Sequence, residues 1–428
     1  MEKSEEEYIE TIKKAGIIAE SPVEGTIILK PYGCMIWEQI KKIIKAKLKE
    51  LGYEDMYFPM LIPHSFFKKQ EEHYKSFSRE AVFCTRTGEK ELKEELIIRP
   101  TSETIIYPAV KEWIKTEADL PIKINQWCSI MRWETLKPTL PLIRNNEFLW
   151  HECHSIHASR HECDEQAGIM HEFYKELLKE HLAIAFFEGK KPERRKFAGA
   201  EYTLALEGMM KNRKCIQLAT SHSLGQKFSK AFSIKTKDYA WMACAGITTR
   251  LIGAVAMAHS DENGLVLPPK IAPYEVAVDN QKSHEKLKSS FRTAKMSKEE
   301  AIAKGVPVII EKNKATRRDT MKETDIKEGV KEQIQSLLKD MQDSLLRKSE
   351  KFKEEHTYRT DNYNEFKEIL LNRKGAAETW WCGKEECSKK IKKETNGSLR
   401  IINNAKENAK CVCCGKKAQH SAIFGQSY

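Results

Sequence analysis

The chain has 428 residues, 40% hydrophobic and 32% charged, enough for two or three domains with ordinary cores. No apolar run reaches the roughly 20 residues that cross a bilayer, and the acidic start Met1-Glu2-Lys3-Ser4-Glu5-Glu6-Glu7 has no apolar core, which excludes a secretory signal or transit peptide there. A cytoplasmic protein with no membrane partner is expected; the net charge of +11, spread along the chain, suits either a polyanionic partner or a lysine-rich solvated surface, and does not choose between them.

Ile36, Ile40, Ile43, Ile44, Leu48 and Leu51 recur at helical spacing and predict a helix from about Met35 to Leu51, ended by Gly52. Short strands are expected at 56–58, stopped by Pro59, and at 96–98, 122–127 and 147–151. Glu162 to Leu182 reads as a helix, and further strands follow around 183–187, 201–206 and 214–218. Thr248 to His259 is apolar nearly all round, which predicts a buried helix. Short strands with interspersed helices and no regular βαβ alternation point to an antiparallel α+β domain. Leu267-Pro268-Pro269 marks the clearest boundary. A lysine-rich segment with Gly305-Val306-Pro307, an amphipathic helix on Val330, Ile334, Leu338, Met341 and Leu345, and a cysteine-rich end complete the chain.

Three segments carry candidate chemistry. The first is Arg132-Trp133-Glu134 with Arg144-Asn145-Asn146-Glu147-Phe148. Arginine holds phosphate or carboxylate bidentately at any working pH; Glu134 could accept from an amino group and Phe148 could stack on a base. Two surface arginines on a hairpin would look the same. In Arg99-Pro100-Thr101-Ser102-Glu103-Thr104, a glutamate beside two hydroxyls suits a cationic amine, and Thr101 or Ser102 also suits an N-cap. The third, Thr248-Thr249-Arg250, places an arginine among apolar neighbours, where it needs a partner: a nucleotide phosphate or an internal carboxylate.

The 12 cysteines divide into seven isolated ones and a terminal cluster. The isolated ones are expected to be reduced core residues. Cys382, Cys387, Cys411 and Cys414 have the knuckle-like spacing of a structural zinc site, with Cys413 as a competing fourth ligand. His151, Cys153, His154, His157, His161 and Cys163 also invite a metal reading, but strand alternation sends His154 to the face opposite His151, Cys153 and His157.

Together these segments resemble the class II aminoacyl-tRNA synthetases. Gly52 and Phe58-Pro59 look like motif 1, Arg132–Glu134 with Arg144–Phe148 like motif 2, and Arg250 like the arginine of motif 3. Longer strings resemble the prolyl branch, in its archaeal and eukaryotic-cytoplasmic form: Ser21-Pro22-Val23-Glu24-Gly25, Arg99–Thr104, Asn125-Gln126-Trp127-Cys128, Glu147-Phe148-Leu149-Trp150, Lys196-Phe197-Ala198-Gly199, Gly264–Pro269 and Phe424-Gly425-Gln426-Ser427-Tyr428.

The resemblance implies an antiparallel-sheet catalytic domain over 1–270, a reduced anticodon-binding-like α/β domain over 271–328 and a C-terminal α/β zinc-binding domain over 329–428. It implies ATP-dependent ligation of proline to tRNA(Pro) through a prolyl-adenylate, with Mg2+, structural Zn2+ and a homodimer. Arg132, Arg250 and Glu103 would be catalytic. Proline would be held by Thr101, Glu103, Arg132, Trp150, Glu152, His154, Phe197, His222 and Phe77. ATP would meet Arg132, Glu134, Arg144, Asn145, Phe148, Gln217, Thr220, Thr248 and Arg250. The zinc ligands would be Cys382, Cys387, Cys411 and Cys414.

Three departures stand against that pattern: Asn146 where an arginine is usual, Cys244-Ala245 for a serine–tryptophan pair, and a middle domain that looks about half its expected size. In the shortened domain, Arg317, Arg318 and neighbouring lysines are expected to keep phosphate contacts, while anticodon reading is weakened. The competing reading is a synthetase-like RNA-binding or regulatory protein with impaired charging.

Overall fold

In the computed structural model, which describes residues 3–135, 138–326 and 329–428, the chain opens with helices α1 (Lys3–Lys14) and α2 (Pro31–Glu50). Pro31 occupies the first turn of α2, where a missing N–H costs nothing, so the helix starts earlier than its apolar spacing announces. Ile36, Trp37, Ile40, Ile44 and Leu48 are buried, at roughly 1.5–3 kcal/mol of stabilisation per side chain. Gly52, at φ +76°, ends it as expected. The strand foreseen at 56–58 is displaced to β1 (Glu54–Asp55), parallel to β2 (Ile122–Met131). Phe58 instead enters the core, with its N–H donating to Gln126 Oε1 at 2.6 Å.

The larger, N-terminal part of the chain is built on one sheet. Strands β3 (Glu147–His157), β4 (Phe186–Lys190), β5 (Tyr202–Met209), β6 (Cys215–Gly225) and β7 (Trp241–Thr248) join the first two in the order β4-β5-β6-β7-β3-β2-β1, antiparallel apart from β1. Strand β7 is absent from the sequence reading because its alanines and glycine carry little strand preference. Its backbone comes close to β3: a Cβ on Gly246 would lie 2.8 Å from the His151 carbonyl. Helices α4 (Arg160–Glu176) and α5 (Arg250–His259) pack with α2 on one face of the sheet. Helix α3 (Glu103–Lys111) covers the other, with Tyr107 and Ile106 against Ile156, Leu224 and Met242. Alternation along β3 therefore sends Trp150, Glu152 and His154 to the side of α3, and Cys153 toward α4.

Residues 276–325 form a small separate sheet: parallel strands 293–295, 276–278 and 308–311, then an antiparallel hairpin of 314–317 and 322–325, joined by helices Gln281–Leu287 and Lys298–Lys304. An α/β alternation thus survives in little space. The phosphate role expected for Arg317 and Arg318 is overturned here. Arg318 is fully buried and gives two 2.8 Å hydrogen bonds to Asp261. Arg317 donates to the buried Asp319 carboxylate at 2.7 and 3.1 Å. Both charges are spent inside the protein.

Helix α6 (Val330–Glu355) belongs to both neighbours. Ile334 and Leu338 pack into the small sheet's core, while Met341 and Leu345 pack against Ala183 and Val266. The boundary placed at residue 328 lies outside the described residues. Strands β8 (Thr357–Arg359), β9 (Ala376–Trp381), β10 (Ser398–Asn404) and β11 (His420–Gly425) follow in the order β8-β9-β11-β10. β10 meets β4 at Ile402 and Lys190, so the terminal sheet continues the N-terminal one.

That junction contains a buried charge cluster. Glu207 on β5, fully buried, pairs with Lys191 and accepts from Arg400 Nε at 3.0 Å and Nη2 at 2.6 Å. Removing one partner of a buried pair leaves charge with no compensation, at a cost of about 3–5 kcal/mol. Glu207→Ala should therefore lower the urea midpoint and expose the 356–428 segment to protease before the rest of the chain. An unchanged midpoint and cleavage pattern would refute this account of the junction.

Candidate functional site

Strands β3, β5, β6 and β7, Arg132 just beyond β2, and helices α3 and α5 enclose a cavity of about 220 Å³. Its wall contains twelve of the residues singled out from sequence: Glu103, Arg132, Phe148, Trp150, Glu152, His154, Phe197, Gln217, Thr220, His222, Thr248 and Arg250. A larger hollow of about 660 Å³ opens between α1 and residues 260–264, but it shares none of these.

The floor is acidic and fixed. Glu103 is buried; its Oε2 accepts from Thr101 Oγ1 at 2.5 Å and lies 3.4 Å from His73 Nε2. Burial works against its charge, but the hydrogen bond and field of His73, aided by His154 and Thr101, win and hold the carboxyl at about 2. Neither Thr101 nor Ser102 caps α3 through its side chain: Thr101 turns to Glu103, and Ser102 donates to Glu152. Glu152 also accepts from Gln126 Nε2 at 2.7 Å and lies 3.0 Å from His154 Nε2, while His154 Nδ1 meets the Tyr107 hydroxyl at 3.0 Å. Burial lowers the His154 pKa, and the Glu152 carboxylate more than offsets it. Burial pushes His222 down to about 3, so its ring is neutral at working pH, with Nδ1 2.8 Å from Thr203 Oγ1.

The upper wall is basic. The Arg132 guanidinium lies 4.9, 5.7 and 5.6 Å from the ring centres of Phe77, Phe148 and Trp150, and its Nε donates to the Pro100 carbonyl at 2.7 Å. Arg250 donates to the carbonyls of Ile143 at 2.9 Å and Gln217 at 3.3 Å. Burial first, then the like charges of Arg144 and Arg132, depress its pKa to about 10. Among the described residues, no carboxylate lies within ion-pair distance of Arg132 or Arg250, so the internal carboxylate considered for Arg250 is not there. Arg144 is engaged: Nη1 donates to Glu134 Oε2 at 2.6 Å and Nη2 to the Tyr428 backbone oxygen at 2.7 Å.

Asn145 does not line the cavity; its amide donates to the Gly25 carbonyl at 3.4 Å. Asn146 is buried as a brace, accepting from the Glu134 N–H at 2.8 Å and donating to the Glu24 carbonyl at 2.9 Å. Gly25 is required there, since a Cβ would sit 2.4 Å from the Asn146 amide. Sequence reading missed His73, Tyr107, Gln126 and Thr203. His73 was the most accessible of these, because it stands one helical turn before Phe77 on Glu71–Phe77.

Away from the cavity, the sulfurs of Cys382, Cys387, Cys411 and Cys414 lie within 4.8 Å of one another, with Cys382 3.6 Å from Cys387 and 3.7 Å from Cys414. Bonds of about 2.3 Å in a tetrahedron set sulfurs at about that separation. These four thiols could hold one metal ion, and Cys413 is outside the group.

A cavity with an anionic floor and a cationic wall can take a zwitterion, ammonium end down, beneath a polyphosphate. Comparison with known proteins identifies relatives. Residues 84–259 match the model of the tRNA synthetase class II core domain (G, H, P, S and T), and residues 363–428 match that of the prolyl-tRNA synthetase C-terminal domain. A proline–tRNA ligase of Natranaerobius thermophilus is 35% identical over 448 residues, covering 95% of this chain and 92% of the relative. The proline–tRNA ligase 2 of Clostridioides difficile is 37% identical over 461 residues, covering 98% and 95%. That alignment is longer than the 428 residues of this chain, so the relative has residues this one lacks. The crystal structure of prolyl-tRNA synthetase from Cryptosporidium parvum complexed with halofuginone and AMPPNP superposes with a TM-score of 0.90 at 33% identity, over 98% of this chain and 94% of that one.

The depressed Glu103 pKa carries a stability consequence. Its folded value lies below the ordinary glutamate value of 4.5, so its contribution is present above about 4.5 and is lost as pH falls toward about 2. The gap corresponds to about 3 kcal/mol. Urea midpoints measured from pH 6 down to 3 should fall more steeply for the wild type than for Glu103→Gln; parallel curves would contradict the assignment.

Proposed function

The chain belongs to the prolyl-tRNA synthetases, class II ligases that use ATP to join proline to tRNA, and we propose how its residues divide that work. The observation that carries the reading is an ionised Glu103 at the cavity floor with Arg132 and Arg250 above it, neither in an ion pair among the described residues. Neither the comparisons nor the geometry favours the alternative of a regulatory protein that no longer charges tRNA.

Proline enters with its cationic nitrogen toward Glu103 and Thr101 and its carboxylate toward Arg132. Phe77, Trp150, Phe197 and His222 close round the apolar ring, and Glu152 with His154 braces the floor. Arg250 and Phe148 flank the adenine, whose amino group Glu134 reads. Gln217, Thr220 and Thr248 lie along the ribose and phosphates. Arg144 serves the outer phosphates once ATP displaces its present contacts. Mg2+ bound with ATP would supply positive charge against the phosphates.

The proline carboxylate then attacks the α-phosphorus in line and pyrophosphate leaves. A ribose hydroxyl of the tRNA end next attacks the resulting mixed anhydride, releasing AMP. Both steps ask for positioning and charge stabilisation rather than a protein nucleophile.

We assign Zn2+ to Cys382, Cys387, Cys411 and Cys414, where it would hold the ends of the terminal sheet together. The domain division 1–270, 271–328 and 329–428 is retained, with α6 as a shared strut. A homodimer is supported by exposed Tyr57, Met60 and Leu61, which follow edge strand β1; light scattering reporting a monomer would refute it. No helix of the described residues is long and apolar enough to cross a membrane, in keeping with a cytoplasmic site of action; fractionation of cells tests it.

Arg132→Ala should slow proline-dependent ATP–pyrophosphate exchange by ~10²–10³, the loss of about 3–4 kcal/mol expected for a transition-state donor, while the melting temperature holds. Exchange at the wild-type rate would refute the assignment. Metal analysis should find one zinc per chain in protein purified without chelator. Its removal should loosen the terminal sheet, since structural zinc contributes about 10–16 kcal/mol in small modules; a zinc-free preparation with normal stability would count against the site.

A further inference from the structure

The cavity floor joins three side chains that could ligate a metal together. One carboxylate oxygen of Glu103, one ring nitrogen of His154 and the Sγ of Cys244 lie within 4.8 Å of one another, and all three residues are buried. We propose that this floor binds a borderline-soft divalent cation of the zinc class, and that the cation competes with proline for the cavity.

Carboxylate, imidazole and thiolate together suit Zn2+ and its neighbours in the series, and poorly suit Mg2+ or Ca2+. The spacing is near what a tetrahedral ion needs. Bonds of about 2.0–2.3 Å put ligand atoms some 3.3–3.7 Å apart, and Cys244 Sγ already lies 3.9 Å from Glu103 Oε1. The ligands face the cavity, which leaves the fourth position to water.

Supporting contacts are in place. Glu103 Oε2 is held by Thr101 and His73, leaving Oε1 turned to the thiol. Glu152 and Tyr107 grip opposite nitrogens of His154, so whichever nitrogen takes the metal, the other keeps an orienting partner. The floor is already arranged for a cation, since Glu103 is ionised with no lysine or arginine paired to it among the described residues.

Binding forms one metal–sulfur, one metal–nitrogen and one metal–oxygen bond. It releases the thiol proton, and any proton on the ligating nitrogen, to solvent, with no change of oxidation state. The nearby positive charge of Arg132 opposes it, which makes the site exchangeable rather than permanent. Competition with proline rests on the function proposed above; metal binding itself does not.

The test uses the whole chain with zinc already in the four-cysteine site. Cobalt binds such sites more weakly than zinc and leaves that ion in place. Titration with Co2+ should add about one cobalt per chain with a thiolate-to-cobalt charge-transfer band. The band should vanish in Cys244→Ser and in Cys244→Ala, each checked for a normal melting curve. Saturating proline should weaken cobalt binding at least tenfold, and added zinc should raise the KM for proline while kcat stays unchanged. No band in the wild type, or one that persists in both variants, overturns the metal site. A Cys244-dependent band indifferent to proline overturns the competition. Absent exchange in the enzyme without added metal would instead sink the proline assignment.

Discussion

Two guanidinium groups that face one cavity, with no carboxylate within ion-pair distance among the described residues, impose the constraint on which this molecule is built. Arg132 and Arg250 are half-buried, bonded only to carbonyls, and their pKa values are depressed by burial. A charge so placed is costly to the folded chain. The cost persists because the surrounding sheet leaves no freedom to relax it: Arg250 begins α5 at the end of β7, and Arg132 follows directly on β2. Under the roles proposed above, anionic substrates would supply the opposite charge, and the cost of holding these guanidinium groups would be offset on binding.

The opposite charge lies in the same cavity and has to be kept from cancelling this one. Glu103 is anchored from below by Thr101 and His73, while Arg132 is held among the rings of Phe77, Phe148 and Trp150. Each such cation–π contact contributes about 0.5–2 kcal/mol. Together these contacts hold the carboxylate and the guanidinium apart, with no ion pair between them among the described residues.

How much of this was legible in the sequence depended on whether a residue's role was local. Helix α2 and Gly52 could be read because periodicity and a positive φ are properties of a few neighbouring residues. Glu103, Arg132 and Arg250 stood out because chemistry and neighbours are informative at those positions, and the structure gathers them in one cavity. Strand β7 was invisible, since Ala243, Cys244, Ala245 and Gly246 become a strand only by lying between β6 and β3. Arg317 and Arg318 misled for the same reason. Their acceptor and burial are set by Asp319 and by Asp261, the latter 57 residues away from Arg318, and no local pattern distinguishes a spent arginine from a free one. Ser102 was read as a cap because its hydroxyl fits one, while its partner Glu152 lies 50 residues on.

The continuity of the sheet explains why the chain's last residues matter to its centre. Strand β10 joins β4, Arg400 closes on Glu207 of β5, and β11 leads directly to Tyr428. There the Tyr428 hydroxyl donates to Asn212 Oδ1 at 2.6 Å, and Lys214 lies 5.2 Å from its ring centre. The Tyr428 backbone oxygen takes the Arg144 hydrogen bond at 2.7 Å, on the same guanidinium that holds Glu134. The terminal sheet therefore reaches Arg144, the arginine proposed above to serve the outer phosphates. The four-cysteine cluster at its far end, with the metal proposed above, and the buried Glu207 cluster at its near end would fix one rigid element between them. That rigidity would serve the role proposed for Arg144, because a guanidinium that exchanges a carboxylate for a phosphate needs its other anchor to stay put.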